Sequence, residues 1–414
     1  MRTTHRTLIA LLLGAAGAAA IDTATINAAD RSTQTAMWFD KTAPVAATGP
    51  TAIKPVAVDR TAWWATGGPA YRWNEILLDE MQQSFVVLPM AARHLALFHA
   101  ALDDAVANAR QHKAKSGASE YAASAEVAAA VLTYLFPARA EYFGAKAVEA
   151  IEARKAVKGE TAEKIAAGRE LGRKSAAAAI ARGKADGSDA KWSGTVPEGP
   201  NRWKGQNPIA PLAGTWQTWV LASPSELRPP APPAIDSEQV KTALAELKSF
   251  QRTPRTNHRA NYWEVHGGAR AHTLWNEIAR VKLLEYGMAA RDGSRVLAAL
   301  NIAMADAGTA CWDAKYAFWF IRPPQLDAEL KSLFPPPNHP SFPAAHGCYS
   351  TAAATVLADA FPQDKERLLA LAKEAAEARV WAGIHFRFDI DAGQDIGRKV
   401  GEKVLSRMLA AKVN

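Results

Sequence analysis

Three basic clusters in the last quarter of the chain carry residue types suited to holding a tetrahedral oxyanion. They are Lys315…Arg322-Pro323, Pro343-Ala344-Ala345-His346-Gly347, and Arg379…Gly383-x-His385…Asp389. Together they offer three permanent cations, two imidazoles and one carboxylate, with no serine or cysteine placed as a nucleophile of the usual kind. Such a set matches an ion such as phosphate or vanadate and suits a peptide or a nucleobase poorly. The third cluster is the most specific. Asp389 lies four residues beyond His385, a spacing that suits a carboxylate holding one imidazole nitrogen while the other is aimed and made more basic. Gly383 permits close backbone approach. His346 and Ala345 precede a run of small residues that reads as a helix, so an anion placed there gains first-turn N–H groups and the positive end of the dipole. Lys315 and Arg322 are seven apart, nearly one face of a continuous helix that Pro323 ends, which sets Arg322 at a helix terminus.

Helices must bring these clusters together. The chain has 414 residues, 49% of them hydrophobic and 22% charged, a composition that supplies a real core. Apolar residues recur at intervals of three and four, and no segment alternates with period two. The expected fold is therefore all-α, with one large helical domain or two packed helical bundles around one oxyanion site both open, and the family resemblance given below implies the two bundles. Helices are expected at 90–109, 122–136, in one or two pieces over 140–182, and at 236–250, 270–289, 293–314, 351–361, 365–382 and 389–410. His94 and His99 lie on the first of these and read as core histidines. Gly393, Gly397 and Gly401 recur at four-residue spacing on the last and let another helix approach closely. Residues 183–233 change texture to Pro, Gly and Trp. They are expected to form a long loop that wraps the bundle and anchors through Trp192, Trp203, Trp216 and Trp219. The domain reading is a signal peptide and the start of a lead-in over 1–28, an irregular segment over 29–68, and one helical domain over 69–414 with the site motifs at 315–389.

The net charge of +8 draws in anions. No dense Lys/Arg run with interleaved aromatics is present, so nucleic acid is not an expected partner. Arg2 and Arg6 precede an apolar run from Leu8 to Ala20 that ends in small residues, with Ala18-Ala19-Ala20 or Ala28 as the cleavage point. This reads as an export signal and predicts a periplasmic or secreted protein. No later stretch is apolar for long enough to form a transmembrane helix. The two cysteines, Cys311 and Cys348, flank the motifs and read as buried thiols, with a disulfide left open.

The three clusters resemble the signature shared by vanadium-dependent haloperoxidases and type 2 phosphatidic acid phosphatases. That signature is Lys-x6-Arg-Pro, then Pro-Ser-Gly-His, then Ser-Arg-x3-Gly-x-His-x3-Asp. The spacings and order agree. Residues 91–105, 305–316 and 383–389 look like the bacterial haloperoxidase branch, and the likeness covers roughly 70–405. It implies that Lys315, Arg322 and Arg379 neutralise the oxygens of vanadate or phosphate. His385 becomes the ligand to vanadium or the nucleophile on phosphorus, His346 the acid–base group at the opposite apex, and Asp389 the residue that orients His385. Lys315 is also expected to polarise bound peroxide. The chain departs from the pattern at Ala344, Ala345 and Ala378, where the family has serine, glycine and serine. The Ala345 N–H still offers a donor. His339, seven residues before His346, points to bromide as the halide.

The leading expectation is thus an exported, vanadate-dependent haloperoxidase whose small-molecule substrates are hydrogen peroxide, halide and an organic acceptor. The alternative is an acid phosphatase that hydrolyses phosphomonoesters through a phosphohistidine and needs no cofactor. A third reading is a non-catalytic anion-binding relative. A homo-oligomer is compatible with all three.

Overall fold

The computed structural model describes residues 59–112, 117–265, 271–288 and 290–408. The expected export signal and the lead-in as far as residue 58 lie outside them. Asp59 starts α1 (Arg60–Ala65) by accepting the Thr61 and Ala62 N–H groups on its carboxylate. The end of the segment expected to be irregular is therefore helical. The reason is local: an aspartate cap, and a Trp64 ring that is buried 5.1 Å from Trp73 of α2 (Tyr71–Gln83).

The first bundle consists of α3 (Met90–Gln111), α4 (Glu120–Leu135), α5 (Ala140–Lys155) and α6 (Ala162–Ala185), with α4 packed on the other three. Ser119 and Thr161 cap α4 and α6 through their hydroxyls. His94 and His99 are buried on α3, the first edge-on to Phe136 and the second 2.7 Å from Asn74 Nδ2. Burial pushes both imidazoles down to about 3, so they are neutral core groups.

The second bundle contains α7 (Glu238–Ser249), α8 (Pro254–Val265), α9 (Ala271–Glu285), α10 (Ala290–Phe318), the one-turn α11 (Pro323–Leu326), α12 (Ala345–Ala360), α13 (Lys365–Trp381) and α14 (Arg387–Met408). α12 is its hub, packed on α9, α10, α13 and α14, while α10 also packs on α3 and joins the bundles. Among the described residues there is no strand, only an isolated bridge between Arg202 and Phe320. No described helix is long and apolar enough to cross a membrane.

α8 corrects the expectation of no helix between 250 and 270. Its polar run Asn257-His258-Arg259 hides the apolar period, leaving Ala260 and Trp263 as its fully buried residues. Its start is nevertheless written in the chain. Pro254 occupies the first helical position, and Thr253 and Thr256 exchange side chain–backbone hydrogen bonds of 2.8 and 3.2 Å.

The long irregular stretch begins at Asp186 rather than 183, because α6 runs to Ala185. Trp203 and Trp216 are buried, Trp192 and Trp203 each lie 6.2 Å from Trp319, and Arg182 covers the Trp219 ring at 3.8 Å. A carboxylate adds to this aromatic anchoring: Asp306 on α10 accepts the N–H groups of Trp219, Val220 and Leu221 at 2.7–3.0 Å. Cys311 and Cys348 are both free and buried.

The glycines of α14 act as expected. A Cβ on Gly397 would stand 2.4 Å from the Cys348 carbonyl oxygen, so α12 and α14 touch backbone to backbone. Alanine at an unencumbered helical glycine stabilises by roughly 1 kcal/mol. Gly397→Ala is expected to do the reverse, losing about 1–3 kcal/mol in a chemical denaturation titration because the helices are forced apart.

Candidate active site

The site is assembled where α13 ends and α14 begins. Gly383 has φ +73°, the left-handed conformation that closes a helix without a Cβ penalty. The Gly383 N–H bonds to Val380 O at 2.8 Å and the Ile384 N–H to Arg379 O at 3.1 Å. A Cβ there would also meet the Arg252 guanidinium at 2.8 Å. The reversal delivers His385 to the mouth of α14, whose first turn carries Asp389. His385 Nδ1 lies 2.9 Å from Asp389 Oδ2, and the Phe386 N–H donates to the same oxygen at 3.1 Å. Behind them Phe386 and Phe388 stack at 4.9 Å within a cluster that includes Phe320, Phe342 and Ile390.

Lys315 lies in the last turn of α10 and is fully buried. Its ammonium donates to the carbonyls of Pro340, Ser341 and Pro343 at 2.8, 2.9 and 2.5 Å. Arg322 does not share that helix, contrary to the sequence reading. α10 stops at Phe318, Trp319 takes φ +49°, and Arg322 is the extended residue before α11, which Pro323 starts rather than stops. Arg322 still arrives at the same place. Its guanidinium donates to His339 O at 3.1 Å and Ile384 O at 2.9 Å, and Nη1 lies 3.0 Å from His385 Nε2. His339 is drawn in as well, its Nδ1 3.1 Å from Arg322 Nη2 and its ring 5.3 Å from Trp312. Ala345 opens α12 with His346 next to it, and the Ala344 N–H ties this end to Asp389 O at 2.8 Å.

Arg379 and His346 are reached from α8. Arg379 Nη1 lies 2.5 Å from Glu264 Oε2 and Nη2 donates to Ala260 O at 3.0 Å, while its buried Nε has no hydrogen-bond partner among the described residues. His346 Nε2 is 3.0 Å from Trp263 O. The structure thus brings together Arg322, His339, His385 and Asp389 by direct hydrogen bonds, ties Lys315 to the same segment through the Pro340, Ser341 and Pro343 carbonyls, and places Arg379 and His346 against α8.

Burial governs the protonation states. It pushes Lys315 down to about 8 and Arg322 to about 10, and raises Asp389 to about 6 against the opposing pull of Ser341, Lys315 and Arg322. His385 is held well below the ordinary imidazole value by burial, then by Arg322 and Lys315, and His346 by burial, then by Arg379. Near neutrality Asp389 is ionised and His385 neutral, with its Nδ1–H on Asp389 and the Nε2 lone pair facing the cations.

Two groups escaped the sequence reading. Ser341 donates its hydroxyl to Asp389 Oδ2 at 2.5 Å, and no motif spacing pointed to it. Glu264 stands 115 residues from its partner Arg379 on a helix that was not expected.

Residues 365–412 match the family described as the VCPO second helical-bundle domain. No curated protein matches the chain. Among solved structures, a bacterial vanadium-dependent iodoperoxidase is 19% identical with a TM-score of 0.63, covering 81% of this chain and 95% of that one. A bacterial vanadium-dependent chloroperoxidase, apo-type, is 14% identical with a TM-score of 0.61 over 77% of this chain and 93% of that one. A holo-type bacterial vanadium-dependent chloroperoxidase is 16% identical, also at 0.61, over 78% and 92%. The fold is the all-helical fold of these enzymes. The likeness to these enzymes is one of fold, and the family match is confined to the C-terminal residues 365–412.

Ser341→Ala removes one donor from a fully buried carboxylate and leaves the His385 and Phe386 donors in place. It is expected to lower unfolding free energy by about 1–3 kcal/mol in denaturant titration.

Proposed function

We propose that this chain is an exported haloperoxidase that oxidises halide with hydrogen peroxide at a vanadate held by His385. The observation that carries this reading is the His385 imidazole, its Nδ1 2.9 Å from Asp389 Oδ2, which Ser341 also supports, in a bundle that buries three cations.

The residues present fit a tetrahedral oxyanion. The carboxylate on Nδ1 leaves Nε2 as a directed lone pair, the arrangement of an imidazole ligand. Arg379 Nε is a buried donor without a partner among the described residues, and the first-turn N–H groups of α12, Ala345 among them, add more. Arg322 Nη1, already beside His385 Nε2, is placed to turn to an oxygen. Lys315 contributes differently from the expectation: its three protons all go to carbonyls, so it acts through its charge rather than by donating to the anion or polarising peroxide. When bound, vanadate supplies a Lewis acid that activates hydrogen peroxide for attack by halide.

Burial and the Arg379 charge keep His346 neutral, which would suit it to take up and return a proton at the bound oxyanion. His339, buried against Trp312, is the proposed neighbour of the halide, with bromide favoured. The export reading is supported by the basic and apolar N-terminal run of the sequence.

A second reading uses the same cations and imidazoles for a phosphomonoester. Ala344, fully buried with its N–H on Asp389 O, stands where both branches of the resembled signature have a serine. One hydroxyl donor to the oxyanion is absent in either reading, which weakens lasting retention of vanadate. With a phosphomonoester bound, His385 Nε2 attacks phosphorus, His346 protonates the leaving oxygen, and water then releases phosphate.

Peroxide-dependent bromination of a phenolic dye should require vanadate, with no phosphate release from an aryl phosphate. Phosphate release that vanadate inhibits, without bromination, replaces the first reading by the second. His385→Ala should abolish whichever activity is present. Because burial lowers Lys315 to about 8, the site loses a positive charge as pH rises through that value. Vanadate affinity measured by equilibrium dialysis should therefore fall above about pH 8, and Lys315→Met should remove that fall.

A further inference from the structure

The last turn of α8 makes three contacts with the site. Glu264 Oε2 meets Arg379 Nη1 at 2.5 Å, the Ala260 carbonyl accepts Nη2 at 3.0 Å, and the Trp263 carbonyl lies 3.0 Å from His346 Nε2. The helix is further held to α13, which carries Arg379, by Glu374, which accepts from Trp263 Nε1 at 2.8 Å and from the Arg259 guanidinium. The two partners of the Glu264 contact differ in exposure: the Arg379 side chain is 1% exposed and that of Glu264 35%. The Glu264 charge also acts on Arg322.

A carboxylate on a guanidinium presents the same charge and acceptor geometry as two oxygens of a tetrahedral oxyanion. The three cations of the site thus face two carboxylates, one fixed and one at the surface. Asp389 is fully buried and bound by Ser341, His385 and the Phe386 N–H. Glu264, by contrast, is partly open to solvent and is bound through Oε2 to Arg379.

We propose that Glu264 is a resident competitor, which an incoming oxyanion must displace from Arg379 before it occupies the site. The inference rests on the oxyanion reading given above and adds what regulates it. Displacement costs the same whichever ion performs it. Glu264 therefore sets a threshold that a multiply charged oxyanion, gaining from all three cations, passes and that a weakly held monoanion does not. It also keeps Arg379 paired when no oxyanion is bound.

The test uses the full chain and its Glu264→Gln variant, which keeps the side-chain shape and removes the charge. Inorganic vanadate and inorganic phosphate are titrated separately by calorimetry. The variant is expected to bind both ions about tenfold more tightly, by the same factor for each. Equal or weaker binding by the variant, or factors that differ between the ions, overturns displacement. Hydrogen exchange on the unsubstituted protein gives a measurement that needs no variant. Amides of α8 near Ala260 to Glu264 should exchange faster at saturating vanadate, and unchanged or slower exchange also overturns the proposal. If neither protein binds either ion, the oxyanion reading itself fails and takes this inference with it. Binding by the unsubstituted protein with no gain in the variant sinks only the role of Glu264.

Discussion

The constraint on which the structure depends is the burial of three cations within one helical bundle. Lys315 and Arg322 are wholly inaccessible and Arg379 is 1% exposed. Removing such groups from water costs several kcal/mol each unless their protons find acceptors. Helix interiors supply few such acceptors, since their carbonyls are already engaged along the helix. The acceptors come instead from irregular backbone: His339, Pro340, Ser341 and Pro343 before α12, and Ile384 between α13 and α14. Arg379, the remaining cation, takes a carbonyl and a carboxylate from α8. Lys315 and Arg322 thus draw on non-helical pieces whose carbonyls are unspent, while Arg379 shares the Ala260 carbonyl of α8.

The same hydrogen bonds set the relative placement of the helices. Lys315 fastens the end of α10 to the approach to α12. Arg322 fastens the start of α11 to that approach and to the head of α14. The Ala344 N–H to Asp389 O contact then locks the N-terminus of α12 onto α14. Beyond that point the glycines take over: at Gly397 the axes come so close that a methyl group would meet a carbonyl oxygen. Positioning of the imidazole is therefore a property of the whole α12–α14 pair. The left-handed Gly383 decides only where the chain turns.

How much of this could be read from sequence follows from the range of each interaction. Local signals were legible: the His385–Asp389 spacing became a 2.9 Å contact within one helix start, and the four-residue glycine spacing on α14 became a backbone contact. The all-α class followed from periodicity alone. Arg322 shows a local rule applied to the wrong end. Proline both stops and starts helices, and here Trp319 had already ended α10, so Pro323 begins a new turn. α8 was hidden because its buried face is narrow and its surface polar, although Thr253, Pro254 and Thr256 spell a helix start. Ser341 and Glu264 left no trace in pattern. Their roles come from contacts across 48 and 115 residues, where only the folded chain decides which hydroxyl or carboxylate arrives.

Burial has a second effect that links the site's acid and its base. It raises Asp389 to about 6 and lowers Lys315 to about 8, drawing a carboxylate and an ammonium toward each other from opposite ends of the scale. Both are mainly charged together only in the interval between these values. Below it Asp389 gains a proton and no longer accepts the Nδ1–H of His385, so the tautomer is no longer fixed. Above it Lys315 is neutral and the field that favours an anion weakens. Ser341 narrows neither limit by its own titration, but its hydrogen bond to Asp389 Oδ2 opposes the burial and extends the ionised range downward. A serine that no motif marked thus widens the range over which the pair His385–Asp389 keeps one defined arrangement.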